Sequence, residues 1–258
     1  MAPPFLSIVV PAFNESLRLP HTLGRCVAFL ESWNETWEIV VVDDGSTDDT
    51  AAVVERWHAR DERIRLLRAA HGGKGSAVRA GMLSAGGRWR LFADADLSMD
   101  LSELPKFFDP PVDVAIASRE ADGAERIGEP RGRHLVGRLF NLCVRALVVP
   151  GVHDTQCGYK LFSDTATRML FEASRVNGFA FDVELIFLAR RAGLRIREVP
   201  IVWRHKPGSR VRMQTGLAAF RQLLEIRRNA LIGRYEGMLK SNDLPRSKES
   251  ADRDRRAL

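Results

Sequence analysis

The stretch Leu6-Ser7-Ile8-Val9-Val10-Pro11-Ala12-Phe13-Asn14-Glu15 passes from a β-branched run into a turn that carries an amide and a carboxylate. Leu6–Val10 reads as a buried strand, and the polar pair falls just past its end. The pattern returns twice. Glu38–Val42 is followed by Asp43-Asp44-Gly45-Ser46, and Trp89–Ala93 by Asp94-Ala95-Asp96. Ile64–Leu67 and Val112–Ala117 supply two further strands. Between the strands, Leu19, Leu23, Val27 and Leu30 mark one helical face, and Val53 and Trp57 another. Strands alternating with amphipathic helices imply a parallel sheet with helical crossovers. In such sheets ligands bind outside the carboxyl ends of the strands, so three polar clusters placed there imply one site.

The remainder is read in the same way. Arg119–Arg133 is a Gly/Glu/Arg-rich segment expected to form a mobile loop over that edge. A helix over 135–149, a strand Gly158–Phe162, a helix over Asp182–Ala192 and a strand Ile196–Val202 complete the expected domain. Domain boundaries follow: a catalytic domain over 1–212, a basic amphipathic helix over 213–240 and a disordered, charge-mixed tail over 241–258.

A chain of 258 residues, 45% hydrophobic, is long enough for one sizeable core. The net charge of +6 is unevenly spread. From Ile201 to Tyr235 eight Lys/Arg face a single acid, Glu225, which favours an anionic partner for that end of the chain. Cys26, Cys143 and Cys157 lack zinc-type spacing and do not suggest a disulfide framework, which fits a reducing cytoplasm. No secretory leader is evident, and the most apolar helix candidate, Leu135–Val149, is interrupted by Arg138, Asn141 and Arg145, well short of the roughly 18 apolar residues of a membrane span. The expectation is a cytoplasmic protein, peripheral if it meets a membrane.

Each cluster has two readings. Asp94 and Asp96 suit Mg²⁺ or Mn²⁺, or else one caps the following turn and the other is solvated. Asp43 and Asp44 suit a ribose or base, while Ser46 or Thr47 caps the next helix. Gly73-Lys74-Gly75 before a helix over Ser76–Ala85 suits a phosphate, although the spacing is not that of a P-loop.

Taken together, Val9-Val10-Pro11-Ala12-Phe13-Asn14-Glu15, Val42-Asp43-Asp44-Gly45-Ser46-Thr47-Asp48, Gly73-Lys74-Gly75, Ala93-Asp94-Ala95-Asp96-Leu97, Asp154-Thr155-Gln156-Cys157-Gly158-Tyr159-Lys160 and Phe181-Asp182-Val183-Glu184 resemble the family-two glycosyltransferases of GT-A fold. Within them they are similar to the polyprenyl-phosphate (dolichyl-phosphate) glucosyl- and mannosyltransferases, the Asp154–Lys160 segment looking more like the glucosyl branch. The resemblance spans about residues 5–212. It implies a single GT-A domain with a Rossmann-like, mixed but mainly parallel sheet flanked by helices. It also implies a hexose transferred from a nucleotide-diphosphate sugar, glucose from UDP-glucose ahead of mannose from GDP-mannose, to a polyprenyl phosphate.

Carried over position by position, Pro11, Ala12, Asn14, Glu15, Asp43, Asp44, Lys74 and Ala95 belong to the nucleotide-sugar pocket, and Asp94 and Asp96 to the metal. Some mannosyl members place a further ligand, Gln, where this chain has Ser98, and the family often has Asn where this chain reads His71-Gly72 before the Gly-Lys-Gly step. Arg204, His205 and Arg210 match a segment that closes over the diphosphate. On the acceptor side the resemblance implies Arg119, with Arg131 or Arg133 as a second cation, Asp154 and Gln156 nearby, and Asp182 catalytic.

A lipid phosphate, with a second pKa of about 6 by analogy with phosphorylated side chains, is largely dianionic at neutral pH and needs no general base. It needs cations, because it must approach a diphosphate. A hydroxyl acceptor would instead need a carboxylate, and Asp154, Asp182 and Glu184 are the candidates. Either displacement inverts the anomeric centre. Leu217, Phe220, Leu224 and Leu231 alternate with Arg221, Arg227, Arg228 and Arg234, which suits an anionic membrane surface or docking on protein. The competing readings are a soluble glycosyltransferase acting on a hydroxyl or small phosphorylated acceptor, and a silent nucleotide-sugar-binding protein. No Gly-X-Gly-X-X-Gly follows the first strand, which disfavours a dinucleotide dehydrogenase, and no nucleic-acid partner is expected.

Overall fold

The computed structural model describes the backbone of residues 2–128, 131–205 and 213–237, with side chains for these except 131–136, 139 and 213–217. Nine strands and seven helices are described: β1 (Leu6–Ala12), α1 (Leu19–Ser32), β2 (Trp37–Asp43), α2 (Thr50–His58), β3 (Ile64–Arg68), α3 (Lys74–Ser84), β4 (Trp89–Ala93), β5 (Val114–Ser118), β6 (Glu125–Ile127), α4 (Arg131–Leu147), β7 (Tyr159–Ser163), α5 (Asp164–Ala173), α6 (Phe181–Arg191), β8 (Ile196–Pro200), β9 (Val202–Arg204) and α7 (Met213–Leu231), with a 3₁₀ turn at Leu101–Phe107.

Seven strands form one sheet in the order β3-β2-β1-β4-β7-β5-β8, and β6 and β9 pair separately. All neighbours in the large sheet run parallel except β7, which is antiparallel to both β4 and β5. The sheet is therefore mixed and mainly parallel, as expected. Side chains alternate between two cores because successive Cβ atoms point to opposite faces. Ile8, Val10, Ile39, Val41 and Leu91 pack beneath α1, α2 and the 3₁₀ turn, whereas Val9, Val40, Val42 and Phe92 pack with α3, α5 and α6. Burial on both faces explains why these strands read as unbroken apolar runs.

Four expectations are corrected. The strand anticipated over Ile196–Val202 is two strands: β8 pairs with β5 and β9 with β6, the break falling at Ile201, directly after Pro200, which ends β8 and has no N–H to donate. The segment Arg119–Arg133 contains β6, and α4 begins at Arg131, so it is not one open loop. The reading held no helix between Phe162 and Asp182; α5 lies there, capped by Ser163, whose hydroxyl accepts the Ala166 N–H at 3.2 Å. On α7, Ala219, Leu223 and Ile226 face the domain, while Phe220 is 38%, Leu224 52% and Leu231 82% exposed, so the described members of the anticipated apolar stripe look outward. The tail over 241–258 and Arg210 lie outside the described residues.

Candidate active site

The strand order reverses between β1 and β4, and the loops after β1, β2, β3 and β4 meet at this switch point. Asn14 adopts a left-handed φ of 54°, its N–H donates to Ser46 Oγ at 2.8 Å and its Oδ1 accepts the Thr47 N–H at 2.8 Å. The Ser46 and Thr47 expected to cap the next helix thus tie two loops together instead; α2 starts later, after Asp49, with no side-chain cap. Glu15 forms a bidentate pair with Arg18 at 2.9 and 3.0 Å. Asp43, buried, accepts the Ser46 N–H at 3.0 Å. Asp44 accepts the N–H groups of Gly72 and Gly73 at 2.9 and 3.1 Å and lies 3.0 Å from His71 Nδ1, so its carboxylate braces the β3–α3 loop. Phe13 stacks against His71 with ring centroids 4.5 Å apart. Pro11 and Ala12 end β1 beside this wall.

The Asp94–Ser98 turn is pinned from three sides. Thr22 of α1 bonds the Ala95 carbonyl, the Asp94 N–H reaches Gly158 O at 3.1 Å, and the Arg204 N–H reaches Ser98 O at 2.9 Å. Leu97 is held at φ 46°, a conformation that costs about 1–3 kcal/mol and persists where the surroundings over-determine it. Ser98 donates both its N–H and its hydroxyl to one oxygen of Asp96. A Cβ at position 158 would sit 1.9 Å from Asp94 Oδ2, so the glycine is required for the close approach of β7 to this carboxylate.

Two lysines face the turn. Lys74 Nζ lies 2.7 Å from Asp94 Oδ1, and Lys160 Nζ 2.9 Å from Asp182 Oδ1, both ammoniums standing near the Phe92 ring. Lys160 was not singled out from the sequence; a lysine inside the apolar strand Tyr159–Ser163 was the available signal. Burial works against the Lys74 charge, but Asp94, Asp182 and Asp96 outweigh it and its pKa is raised. Burial also raises the pKa of Asp182, against the pull of Lys160 and Lys74. Asp182 Oδ1 has no aligned hydrogen bond among the described residues. Three carboxylates, Asp94, Asp96 and Asp182, face two ammoniums, an imbalance that suits an added cation.

The α3 N-terminus is less open than expected. Asn177 O accepts the N–H groups of Gly75 and Ser76 at 2.7 and 3.2 Å, so these donors are already used. Glu184 is turned inward, accepting the Arg175 and Val176 N–H groups at 2.8 Å each and the Tyr235 hydroxyl at 2.7 Å, which removes it from the candidate bases.

Across the start of β7 lies a second charged centre. Arg119 grips Asp154 through its backbone N–H, Nε and Nη2 at 3.0, 2.7 and 2.9 Å. Burial pushes the Asp154 pKa up, but the adjacent guanidinium outweighs it and brings it down to about 2. So weak a base takes no proton at neutral pH, and Asp154 is the counter-ion of Arg119. The guanidinium carbon of Arg119 lies 5.5 Å from the Trp203 ring centroid. Thr155 Oγ1, Gln156 Nε2 and His205 Nδ1 are buried atoms without a hydrogen-bond partner among the described residues. Arg204 is exposed. Arg131 and Arg133 fall in the first turn of α4, their side chains outside the described set.

Among the described residues no cluster of three or more His, Cys, Asp or Glu could hold a metal by itself. Asp94 and Asp96 nevertheless fit one. Mg²⁺ is commonly held by one or two carboxylates together with substrate phosphates and water.

The sequence matches the family described as Glycosyl transferase family 2 over residues 7–168. It is 40% identical over 226 residues to a dolichyl-phosphate beta-glucosyltransferase of Drosophila melanogaster, covering 80% of this chain and 69% of that one. It is 32% identical over 255 residues to the Saccharomyces cerevisiae protein of the same name, covering 90% and 76%. Among solved structures, glucosyl-3-phosphoglycerate synthase from Mycobacterium tuberculosis, in complex with Mn²⁺, uridine diphosphate and glucosyl-3-phosphoglycerate, superposes with a TM-score of 0.64 at 21% identity, over 90% of this chain and 80% of that one. At that identity the likeness is one of fold.

Proposed function

The chain belongs to glycosyl transferase family 2, and we propose that it is an inverting glucosyltransferase moving glucose from a nucleotide-diphosphate sugar, UDP-glucose first, to a polyprenyl phosphate of the dolichyl type. The observation that carries this reading is the pairing of two centres on either side of the start of β7: an acidic turn, Asp94–Asp96, beside Lys74, and a buried-counter-ion arginine, Arg119 on Asp154. The relatives named dolichyl-phosphate beta-glucosyltransferase support the sugar and the acceptor.

In this reading Pro11, Ala12, Asn14, Glu15 and Asp43 wall the nucleotide, with Asp44 bracing the loop that carries Lys74. Asp94 and Asp96 would hold Mg²⁺ or Mn²⁺, which when bound neutralises charge on the diphosphate as a Lewis acid. Arg204 and Arg210 close over the diphosphate. The dianionic lipid phosphate meets Arg119, with Arg131 and Arg133 following from α4 and Gln156 beside Asp154. An acceptor oxygen attacks the anomeric carbon, the carbon–oxygen bond to the diphosphate breaks in line, and the α-linked donor yields a β-linked product. No proton has to be removed from the acceptor, which agrees with Asp154 being ion-paired. Asp182, whose Oδ1 is short of a hydrogen bond, orients the sugar together with Lys160.

No helix among the described residues is long and apolar enough to cross a membrane. The outward face of α7 (Leu224, Leu231, Arg227, Arg228), with Ile232 just after it, and that of the neighbouring α4 (Arg138, Leu142, Arg145, Leu147) join apolar side chains with cations, which suits peripheral contact with an anionic bilayer. Vesicle flotation should show binding to vesicles rich in phosphatidylserine and loss of it in Arg227→Glu/Arg228→Glu.

The test of the function is sugar transfer from a panel of UDP- and GDP-sugars, with Mg²⁺ or EDTA, onto a short polyprenyl phosphate. Metal-dependent product that partitions into the organic phase is expected from UDP-glucose. Aqueous product would move the acceptor to a small soluble one, and no donor consumption would favour a silent binder. Asp96→Ala should abolish turnover while lowering the urea midpoint only slightly, because the hydrogen bonds it removes are those to the neighbouring Ser98 within the turn.

A further inference from the structure

The structure assigns to Glu198, a residue outside every motif noted in the sequence, the role of positioning Arg119 for the acceptor phosphate; the inference rests on the acceptor reading of Arg119 given above. Glu198 lies on β8, next to β5, with Ile116 paired to Glu198 and Ser118 to Pro200. Its carboxylate therefore stands beside the strand end from which Arg119 departs. Oε1 accepts the Ser118 hydroxyl at 3.1 Å and the N–H groups of His153 and Asp154 at 2.9 Å each. Oε2 lies 2.8 Å from His153 Nδ1 and 3.1 Å from the His153 N–H.

These contacts reach Arg119 from both flanks. On the near side, Ser118 Oγ accepts the Glu120 and Ala121 N–H groups at 3.3 and 3.1 Å, shaping the turn that contains Arg119. On the far side, the His153–Asp154 backbone is fixed so that Asp154 meets three donors of Arg119. An exposed glutamate serving only solubility would be met by water or one flexible cation. Here the side chain is 16% exposed and serves two loops 35 positions apart in the chain, reaching Ser118 across 80 positions and His153 across 45. Hydrogen bonds to an ionised acceptor are the strong ones, and a donor left without its acceptor costs more than the bond returned. A displacement of about 1 Å at a positioning cation is enough to cost a large factor in rate.

The experiment is a double-mutant cycle on the full chain, using a short polyprenyl phosphate and UDP-glucose as probes and Glu198→Gln with Arg119→Lys as variants. Glutamine keeps the shape but turns an NH₂ towards groups that are themselves donors. The expected result is an acceptor KM raised about tenfold in Glu198→Gln, the order for one misplaced charge-assisted hydrogen bond, with donor KM within about twofold of the parent. On the Arg119→Lys background Glu198→Gln should add little, because its effect runs through Arg119. Fully additive effects, or equal rises in donor and acceptor KM, would overturn the proposal in favour of a general structural role. If Arg119→Lys raises the acceptor KM and Glu198→Gln does not, the positioning role alone falls; if Arg119→Lys leaves it unchanged, the acceptor reading of Arg119 falls and takes this inference with it. Should Glu198→Gln fold poorly, Ser118→Ala removes one flank only and is expected to raise the acceptor KM by a smaller factor in the same direction.

Discussion

Asp154 and Asp182 are both buried, and each is paired with a basic residue beside or within β7, yet their environments act in opposite directions. Asp154 accepts three hydrogen bonds from Arg119 and the Gln156 N–H at 3.2 Å, and its pKa falls to about 2. Asp182 faces Lys160 at 2.9 Å without an aligned hydrogen bond on Oδ1, and burial raises its pKa. A planar, forked guanidinium satisfies a carboxylate directionally, whereas an ammonium acts as a point charge. The Asp154 carboxylate is thus answered by the protein itself, and the Asp182 carboxylate retains acceptor capacity for a ligand.

The contrast is broken most directly by removing each charge. Asp154→Asn should cost about 3–5 kcal/mol, because it leaves a guanidinium beside a buried group that no longer answers it. Asp182→Asn should cost less, since burial already disfavours the charge removed and the buried Lys160 ammonium keeps its hydrogen bond to the Cys157 carbonyl. Urea unfolding measures both, and equal losses would erase the distinction. Activity should show the reverse order. Asp182→Asn is expected to lower kcat by about 100-fold, the lower end of what a positioned carboxylate contributes, with donor KM little changed.

Acid sharpens the same contrast with a smaller effect. The Asp154 pKa is depressed from an ordinary value near 3.9 to about 2. Its stabilisation is therefore complete above about pH 4 and is lost as the pH falls towards 2, amounting to about 2.5 kcal/mol. Asp182 has the opposite sign: its raised pKa takes stability away at neutral pH, and that deficit shrinks as the pH falls through the raised value. Urea midpoints followed from pH 5 to pH 2 should fall in the parent, and the part owed to Asp154 should be missing from Asp154→Asn.

The strand-end clusters were legible in the sequence because their physics is local. Buried parallel strands read as β-branched runs, and Asn14, Asp43 and Asp94 follow them directly. What each carboxylate touches was not legible. A helix cap and a loop tie look alike in sequence, and Ser46 and Thr47 turned out to bond Asn14, 32 and 33 positions away. The half of the sheet from β7 to β8 was harder to read, since β7 enters it antiparallel, α5 follows β7 directly, and the chain after Pro200 leaves for a second sheet. Glu198 and Tyr235 gave no signal at all. Their partners lie 44 to 80 residues away, and neither stands in a motif. Lys160 offered a signal that went unused, a charge within an apolar strand, and only the fold explains it, through Asp182.

Of the changes to the Arg119–Asp154 pair, Arg119→Lys gives the smaller stability effect and the narrower test. The charge beside Asp154 is kept, so a purely coulombic pair would survive the change. The fork is lost, and with it one of the two side-chain hydrogen bonds at 2.7 and 2.9 Å. If direction is what separates Asp154 from Asp182, a lysine should cost about 1–2 kcal/mol and move the acid transition to higher pH, because a less well answered carboxylate binds its proton sooner. Both shifts can be read from the same urea titrations. A lysine variant matching the parent in midpoint and in acid response would mean that charge alone suffices at Asp154, and that the two aspartates differ only in how much burial their neighbours offset.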